Sequence, residues 1–209
     1  MAHKFSTSYI EDSVALFHFY KKMAEGAIQQ VTDEQLFATL DEEMNSIAII
    51  VKHMTGNMRS RWTDFLTSDG EKPDRNRDME FVEPSATREE LLARWNEGWD
   101  SVFHALDPLT DSDLERKVTI RGEPHSVMQA INRQIAHYSY HVGQIVFLAK
   151  HLNGRAQQDV PFRRAMRPFG GHPRRRQQRV PLDARHDEAA AAHRMIDLLS
   201  SIAKRNRRG

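Results

Sequence analysis

Four long stretches of the chain place their apolar residues three and four positions apart, the spacing that covers one face of an α-helix. The first runs over residues 6 to about 30, with Ile10, Val14, Phe17, Ala24 and Ile28 on its apolar face. Thr32-Asp33-Glu34-Gln35 interrupts it. A second runs over residues 41 to about 66 and carries Met44, Ile47, Ile50, Val51, Met54, Met58, Trp62 and Phe65. Thr87-Arg88-Glu89-Glu90 offers a capping box for a third, which buries Leu91, Leu92, Trp95, Val102, Phe103 and Leu106. The fourth starts near Ser126 and reaches His151, and Asn153-Gly154 is expected to stop it. Between the third and fourth, the β-branched and then turn-forming residues 118–124 predict a short extended excursion. Residues 67–86 have no period and form a long loop, and such loops inside compact domains are often functional.

These elements predict an all-α protein, a four-helix bundle with a long loop between its second and third helices. The longest aliphatic run is the five residues 47–51, far short of the roughly 20 that a bilayer span needs, so no membrane partner is expected. The first nine residues lack the apolar stretch of a secretory signal. The chain has no cysteine, which removes disulfides, thiolate zinc sites, iron–sulfur clusters and a cysteine nucleophile together. A cytoplasmic location is the matching expectation.

Charge divides the chain in two. Residues 155–209 hold 14 Lys+Arg against 5 Asp+Glu, whereas residues 1–154 hold 16 against 24. The boundary is therefore expected near Asn153-Gly154, with a helical domain over 1–154 and an Arg-rich extension over 155–209. Within the extension, 155–183 reads as disordered and 184–203 as a helix. Its basic runs could neutralise nucleic-acid phosphates, but no aromatic residue interleaves them, so nucleic acid is not an expected partner.

Chemistry concentrates in the histidines. His137 and His141 stand one helical turn apart, so both imidazoles can reach a common point. Tyr138-Ser139-Tyr140 fills the gap, so the glutamate base of the HExxH metalloproteases is missing. A metal needs at least a third ligand, and His53, at the core-facing edge of the second helix, is the best candidate. A core imidazole hydrogen-bonded to a carbonyl or a tyrosine is the competing reading for His53. Two helix-surface histidines at chance spacing is the competing reading for the pair.

This three-histidine pattern is similar to that of the DinB-like superfamily of small four-helix metalloproteins. The phrase His53-Met54-Thr55-Gly56-Asn57-Met58-Arg59-Ser60-Arg61-Trp62-Thr63-Asp64-Phe65, followed by Asp69-Gly70-Glu71-Lys72-Pro73 and Arg75-Asn76-Arg77-Asp78, resembles one uncharacterised branch of it, related to the bacillithiol transferases. The resemblance covers residues 5–154. It implies an open-sided site for one divalent ion, zinc or nickel, on His53, His137 and His141, and a homodimer. It also implies a small-molecule substrate, with a low-molecular-weight thiol such as bacillithiol as co-substrate.

Asn57, Arg61 and Asp64 follow His53 by one, two and three helical turns. Arg61 could hold a substrate carboxylate or phosphate and Asp64 could orient it or act as base, or the two could simply pair at the helix end. Gln134, three residues before His137, is placed to touch a metal-bound water, and Asn57 joins it as a cofactor-facing residue. Arg75, Arg77, Asp78 and Glu80 could form a lid or a solvated charge cluster. Tyr138, Tyr140, Trp95 and Trp99 read as core or interface, and His18, His104 and His125 stay outside the site. The expected function is metal-dependent transfer of a small thiol to an electrophile. The alternatives are metal-assisted hydrolysis, metal or ligand binding without catalysis, and nucleic-acid binding through the tail.

If the first 154 residues carry their own core, removing 155–209 leaves a helical protein that still unfolds cooperatively. Circular dichroism during thermal unfolding tests this, and loss of a cooperative transition would put the extension inside the domain.

Overall fold

The computed structural model describes residues 7–156, all within one compact unit, Met1–Phe169. Five α-helices occupy the described residues: α1 (Tyr9–Ile28), α2 (Asp33–Phe37), α3 (Ile47–Trp62), α4 (Arg88–Leu106) and α5 (Val127–Ala156). An antiparallel hairpin, β1 (Lys117–Ile120) and β2 (Glu123–Ser126), leads directly into α5. Short 3-10 turns lie at Asp78–Phe81 and Asp111–Asp113. The expectations for the tail beyond Ala156 fall outside the described residues.

Side-chain caps set where the helices begin. Thr87 and Glu90 form the expected capping box of α4. Thr32 and Gln35 form another, so the predicted interruption is itself a short helix, α2. The second periodic stretch is shorter at both ends than its apolar pattern. Ser46 caps α3 through the Ile49 N–H, so residues 41–45 stay in turns. At the other end Asp64 takes a positive φ of 50°, and its carbonyl accepts from the Thr67 and Ser68 N–H groups.

The helix α5 runs through Asn153-Gly154 rather than stopping there. The Asn153 amide donates to the Gln30 carbonyl at 2.7 Å, so it ties α5 to the end of α1 instead of capping its own helix. A glycine inside a helix costs about 1 kcal/mol, which this tie and the surrounding packing offset.

Helix α3 packs on α4 and on α5, and α1 packs on α5 and on α4. The core between them is aromatic: Phe17, Trp62, Trp95, Trp99 and Tyr138 are all fully or almost fully buried. Phe17 meets Tyr138 and Trp99 meets Tyr138, both with ring centroids 5.6 Å apart. Such pairs contribute about 0.5–1.5 kcal/mol each beyond area burial. Trp62 Nε1 donates to the Tyr138 hydroxyl at 2.9 Å, and that hydroxyl donates to Asn57 Oδ1 at 3.2 Å. A polar thread is thereby carried through an apolar layer with its partners in place.

The loop over 67–86 is anchored at both ends. Arg121 and Gly122 have φ values of 57° and 75°, the pattern of a two-residue type I′ hairpin turn, where glycine relieves the second position. The Asp69 carboxylate accepts from the backbone N–H groups of Arg121 (2.8 Å), Gly122 (2.7 Å) and Glu71 (2.7 Å). Gly70 N–H donates to the Thr119 carbonyl at 2.8 Å, and Ser60 on α3 bonds both Gly70 and Lys72. The hairpin is thus the buttress against which the loop is laid over α3.

The N–H groups of Gly122, then Glu71 and Arg121, hold the Asp69 carboxyl below its ordinary range. A carboxyl depressed in the folded state adds stability above its unfolded pKa and loses that contribution as pH falls through its folded value. Asp69→Asn is therefore expected to lower the urea midpoint at pH 7. The gap from wild type should shrink below about pH 4, where Asp69 of the unfolded chain begins to take up a proton, and close as pH falls through the depressed folded value.

Candidate metal centre

Helix α3 presents His53 and helix α5 presents His137 and His141, and the packing of the two helices brings the three rings together. His53 and His141 are buried, with His137 partly open. The Nε2 atoms of His53 and His137 lie 3.2 Å apart, and those of His141 and His137 lie 3.0 Å apart. All the donor atoms of the trio fall within 4.8 Å of one another.

The far sides of two rings decide what those nitrogens carry. His53 Nδ1 sits 2.9 Å from Glu80 Oε2, and a carboxylate only accepts, so Nδ1 holds the proton and Nε2 a lone pair. His141 Nδ1 sits 2.8 Å from Gln144 Oε1, with the same result, and Gln144 Nε2 in turn donates to the Tyr140 hydroxyl. Both outer lone pairs therefore point at His137 Nε2, which has at most one proton to share between them. A cation at the focus satisfies all three at once. Tetrahedral imidazole ligands about 2.0–2.1 Å from a zinc-sized ion stand roughly 3.3 Å apart, close to the two spacings from His137, while the third pair lies within 4.8 Å. The donor set fits a divalent ion, and zinc, nickel, iron and copper all accept imidazole.

The surroundings keep the two α5 histidines neutral. Burial, and then the neighbouring charges of His141, His53, Arg75 and Arg61, pull His137 down to about 3. Burial also lowers His141 to about 4, against the opposing hydrogen bond from Gln144. Neither ring competes for a proton at neutral pH.

Behind His53 runs a chain of charge. Arg75 grips both oxygens of Glu80, Nε to Oε1 and Nη2 to Oε2, each at 2.8 Å. Burial alone would raise the Glu80 carboxyl, but Arg75 and His53 outweigh it and hold it below the ordinary range. Arg75 Nη1 also reaches Glu71 at 3.3 Å, and Arg121 of the hairpin turn reaches Glu71 at 3.2 Å. Phe81 stacks on the His53 ring at 4.5 Å. Glu80 can lie this close to α3 because position 56 is glycine: a Cβ there would stand 2.9 Å from Glu80 Cδ and closer still to Oε1. Partners of this kind fix ring orientation and tautomer and are as much part of a metal site as the ligands.

Of the residues singled out in the sequence, the structure brings His53, His137 and His141 to one point, and Arg75 and Glu80 behind them. Arg77 and Asp78 point outward and are exposed. Asn57 is buried and accepts from Tyr138. Gln134 is buried with Oε1 unpartnered, and Arg61 is buried with Nε and Nη1 unpartnered. Asp64 stands apart from the trio, on the exposed turn past the end of α3. Tyr138 is core, as expected, and Tyr140 is surface. Gln144 was missed, although its place three residues after His141 was a readable signal. The pairing of Glu80 with His53 had none, because Glu80 lies in a segment without period.

A model of the family described as a protein of unknown function, DUF1572, matches residues 4–164. No curated protein matches the chain.

The wild-type protein is expected to bind about one divalent ion per chain, and His53→Ala, His137→Ala and His141→Ala each to lose most of it. Glu80→Gln, which keeps the ligands but weakens the hold on His53, should reduce metal affinity about 10–100-fold. Elemental analysis of untagged protein and competition with a chromophoric chelator measure both, and full occupancy in His53→Ala would remove α3 from the site.

Proposed function

We propose that this chain, which belongs to the DUF1572 family, is a metal-dependent enzyme that transfers a low-molecular-weight thiol to an electrophilic substrate. The observation that carries the reading is the convergence of three imidazole nitrogens whose rings are fixed from behind by Glu80 and Gln144. We read the four long helices as a DinB-like bundle, residues 1–154 as the working domain and 155–209 as an appended extension. The protein acts in the cytoplasm, where small thiols are kept reduced, and we assign the exposed Tyr140 and Phe147 of α5 to a homodimer contact.

His53, His137 and His141 would hold a divalent ion, whose positive charge would keep a small thiol deprotonated at neutral pH. The protein's own residues do the rest. Glu80 and Gln144 hold His53 and His141 in the tautomer with Nε2 free, and Arg75 keeps Glu80 charged for that task. The chain has no cysteine, so the sulfur must come with a small molecule. In the transfer, sulfur forms a bond to carbon while halide leaves, or while an epoxide C–O bond opens and its oxygen takes up the proton lost by the thiol.

Hydrolysis is the weaker reading, because water attack wants a free carboxylate as base. Both Glu80 oxygens are taken by Arg75, one of them also by His53, and Asp64 stands on an exposed turn.

Metal-dependent loss of a haloalkane or epoxide is expected on adding bacillithiol, mycothiol or glutathione, and not with the His137→Ala protein. Thiol-independent cleavage of esters, amides or phosphates at equal metal loading would overturn the transferase in favour of a hydrolase. No turnover in either panel by metal-loaded protein would favour a binding role.

A further inference from the structure

Arg61 is a buried charged side chain with almost no partners. Its residue is 97% buried, yet Nε and Nη1 make no hydrogen bond, and Nη2 has only a 3.6 Å ion pair with Glu71. Glu71 does not need it. Arg75 and Arg121 both approach that carboxylate more closely, at 3.3 and 3.2 Å. Burying guanidinium N–H groups without acceptors is costly, and a purely structural role would have been served by a hydrophobic side chain of similar length.

The position is not arbitrary. Arg61 lies two turns beyond His53 on α3. Tyr138 bonds both Asn57 and Trp62, so α3 and α5 are in register there. One turn further along α3 is Arg61, and one turn back along α5 is Gln134, which is 98% buried with its own Oε1 unpartnered. Unused donors on α3 thus lie at the level of an unused acceptor on α5. Gly70 closes over Nη1, where a Cβ would come within 2.7 Å, so the open donor is Nε. The charges already present there do not cancel, since Arg61, Arg75 and Arg121 are set against two carboxylates, Glu71 and Glu80. A divalent ion on three neutral imidazoles would leave that interior with excess positive charge, and a low-dielectric interior does not hold such charge without an anion.

We propose that Arg61 anchors the anionic group, a carboxylate or phosphate, of the substrate, and that Gln134 accepts from an adjacent O–H or N–H of the same molecule. This names the substrate class for the metal centre, a small electrophile that carries a carboxylate or phosphate beside an O–H or N–H, and so rests on the function proposed above.

The test uses full-length protein, metal-free and zinc-loaded, titrated calorimetrically with glycolate, acetate and inorganic phosphate. At least one of glycolate and phosphate is expected to bind, and which one identifies the anion. If glycolate binds, it should bind more tightly than acetate, and the difference should vanish in Gln134→Leu. Arg61→Met should weaken binding by about tenfold or more, and Arg61→Lys, a point charge without the fork, by less. Without anion, Arg61→Met should melt no lower than wild type, because a counter-ion role is already filled by Arg75 and Arg121. Wild-type-like binding in Arg61→Met, a marked fall in its melting temperature without anion, or no binding of any probe by wild type would each overturn the proposal. Metal content measured on the same samples separates the two claims: protein that holds no zinc refutes the metal centre, while the metal-free titration still decides the role of Arg61.

Discussion

Two imidazoles one turn apart on a helix define a direction but not a site, and everything here depends on what brings the third. His53 reaches the pair only because α3 packs against α5 with its register fixed by the Asn57–Tyr138–Trp62 thread. That thread sits in the same layer as Phe17 and Trp99, so the aromatic core and the histidine trio are set by one packing event. A slip of α3 by one turn would leave Tyr138 without its partners and His53 beside apolar side chains, at the cost of burying both unsatisfied.

The loop over 67–86 supplies what helices cannot. Helical side chains repeat every turn, so a carboxylate aimed at the back of His53 has to come from an element that crosses α3 rather than running along it. The Asp69 anchor on the hairpin turn and the short 3-10 turn at Asp78–Phe81 deliver Glu80 to that spot, and Gly56 leaves it room. The hairpin, far from His53 in sequence, therefore reaches it through Arg121, Glu71, Arg75 and Glu80 in turn.

Much of this was legible from spacing alone. The period of 3.6 marked the four long helices and the face of each, and the one-turn interval marked His137 and His141. Helix ends were less so, because they depend on single caps: Ser46 and the positive φ of Asp64 cut α3 short inside an apolar pattern that continues at both ends. That is also why Asp64 does not share the His53 face; the count of three turns assumes a helix that stops at Trp62. Asn153 looked like a stop because its side chain's true acceptor, the Gln30 carbonyl, is distant in sequence. Glu80 left no trace, since a loop encodes position through turns and anchors rather than through a period. The burial of Arg61 was equally hidden, because what covers it is Gly70, a residue with no side chain to announce a contact.

The separation of the ligands along the chain shapes how an ion would act on folding. His137 and His141 are neighbours in any helical segment, so the unfolded chain retains a weak two-arm chelate whenever that turn flickers into place. His53 lies 84 residues from His137, and its arm exists only when α3 has docked. The advantage that an ion gives to the folded chain over the unfolded one is therefore set mainly by the third arm, together with the cost of forming the helical turn in the unfolded chain, and not by the total strength of the site. A tighter helical pair would raise affinity for both states and steady neither, whereas each increment in the hold of Glu80 on His53 is felt by the native protein only.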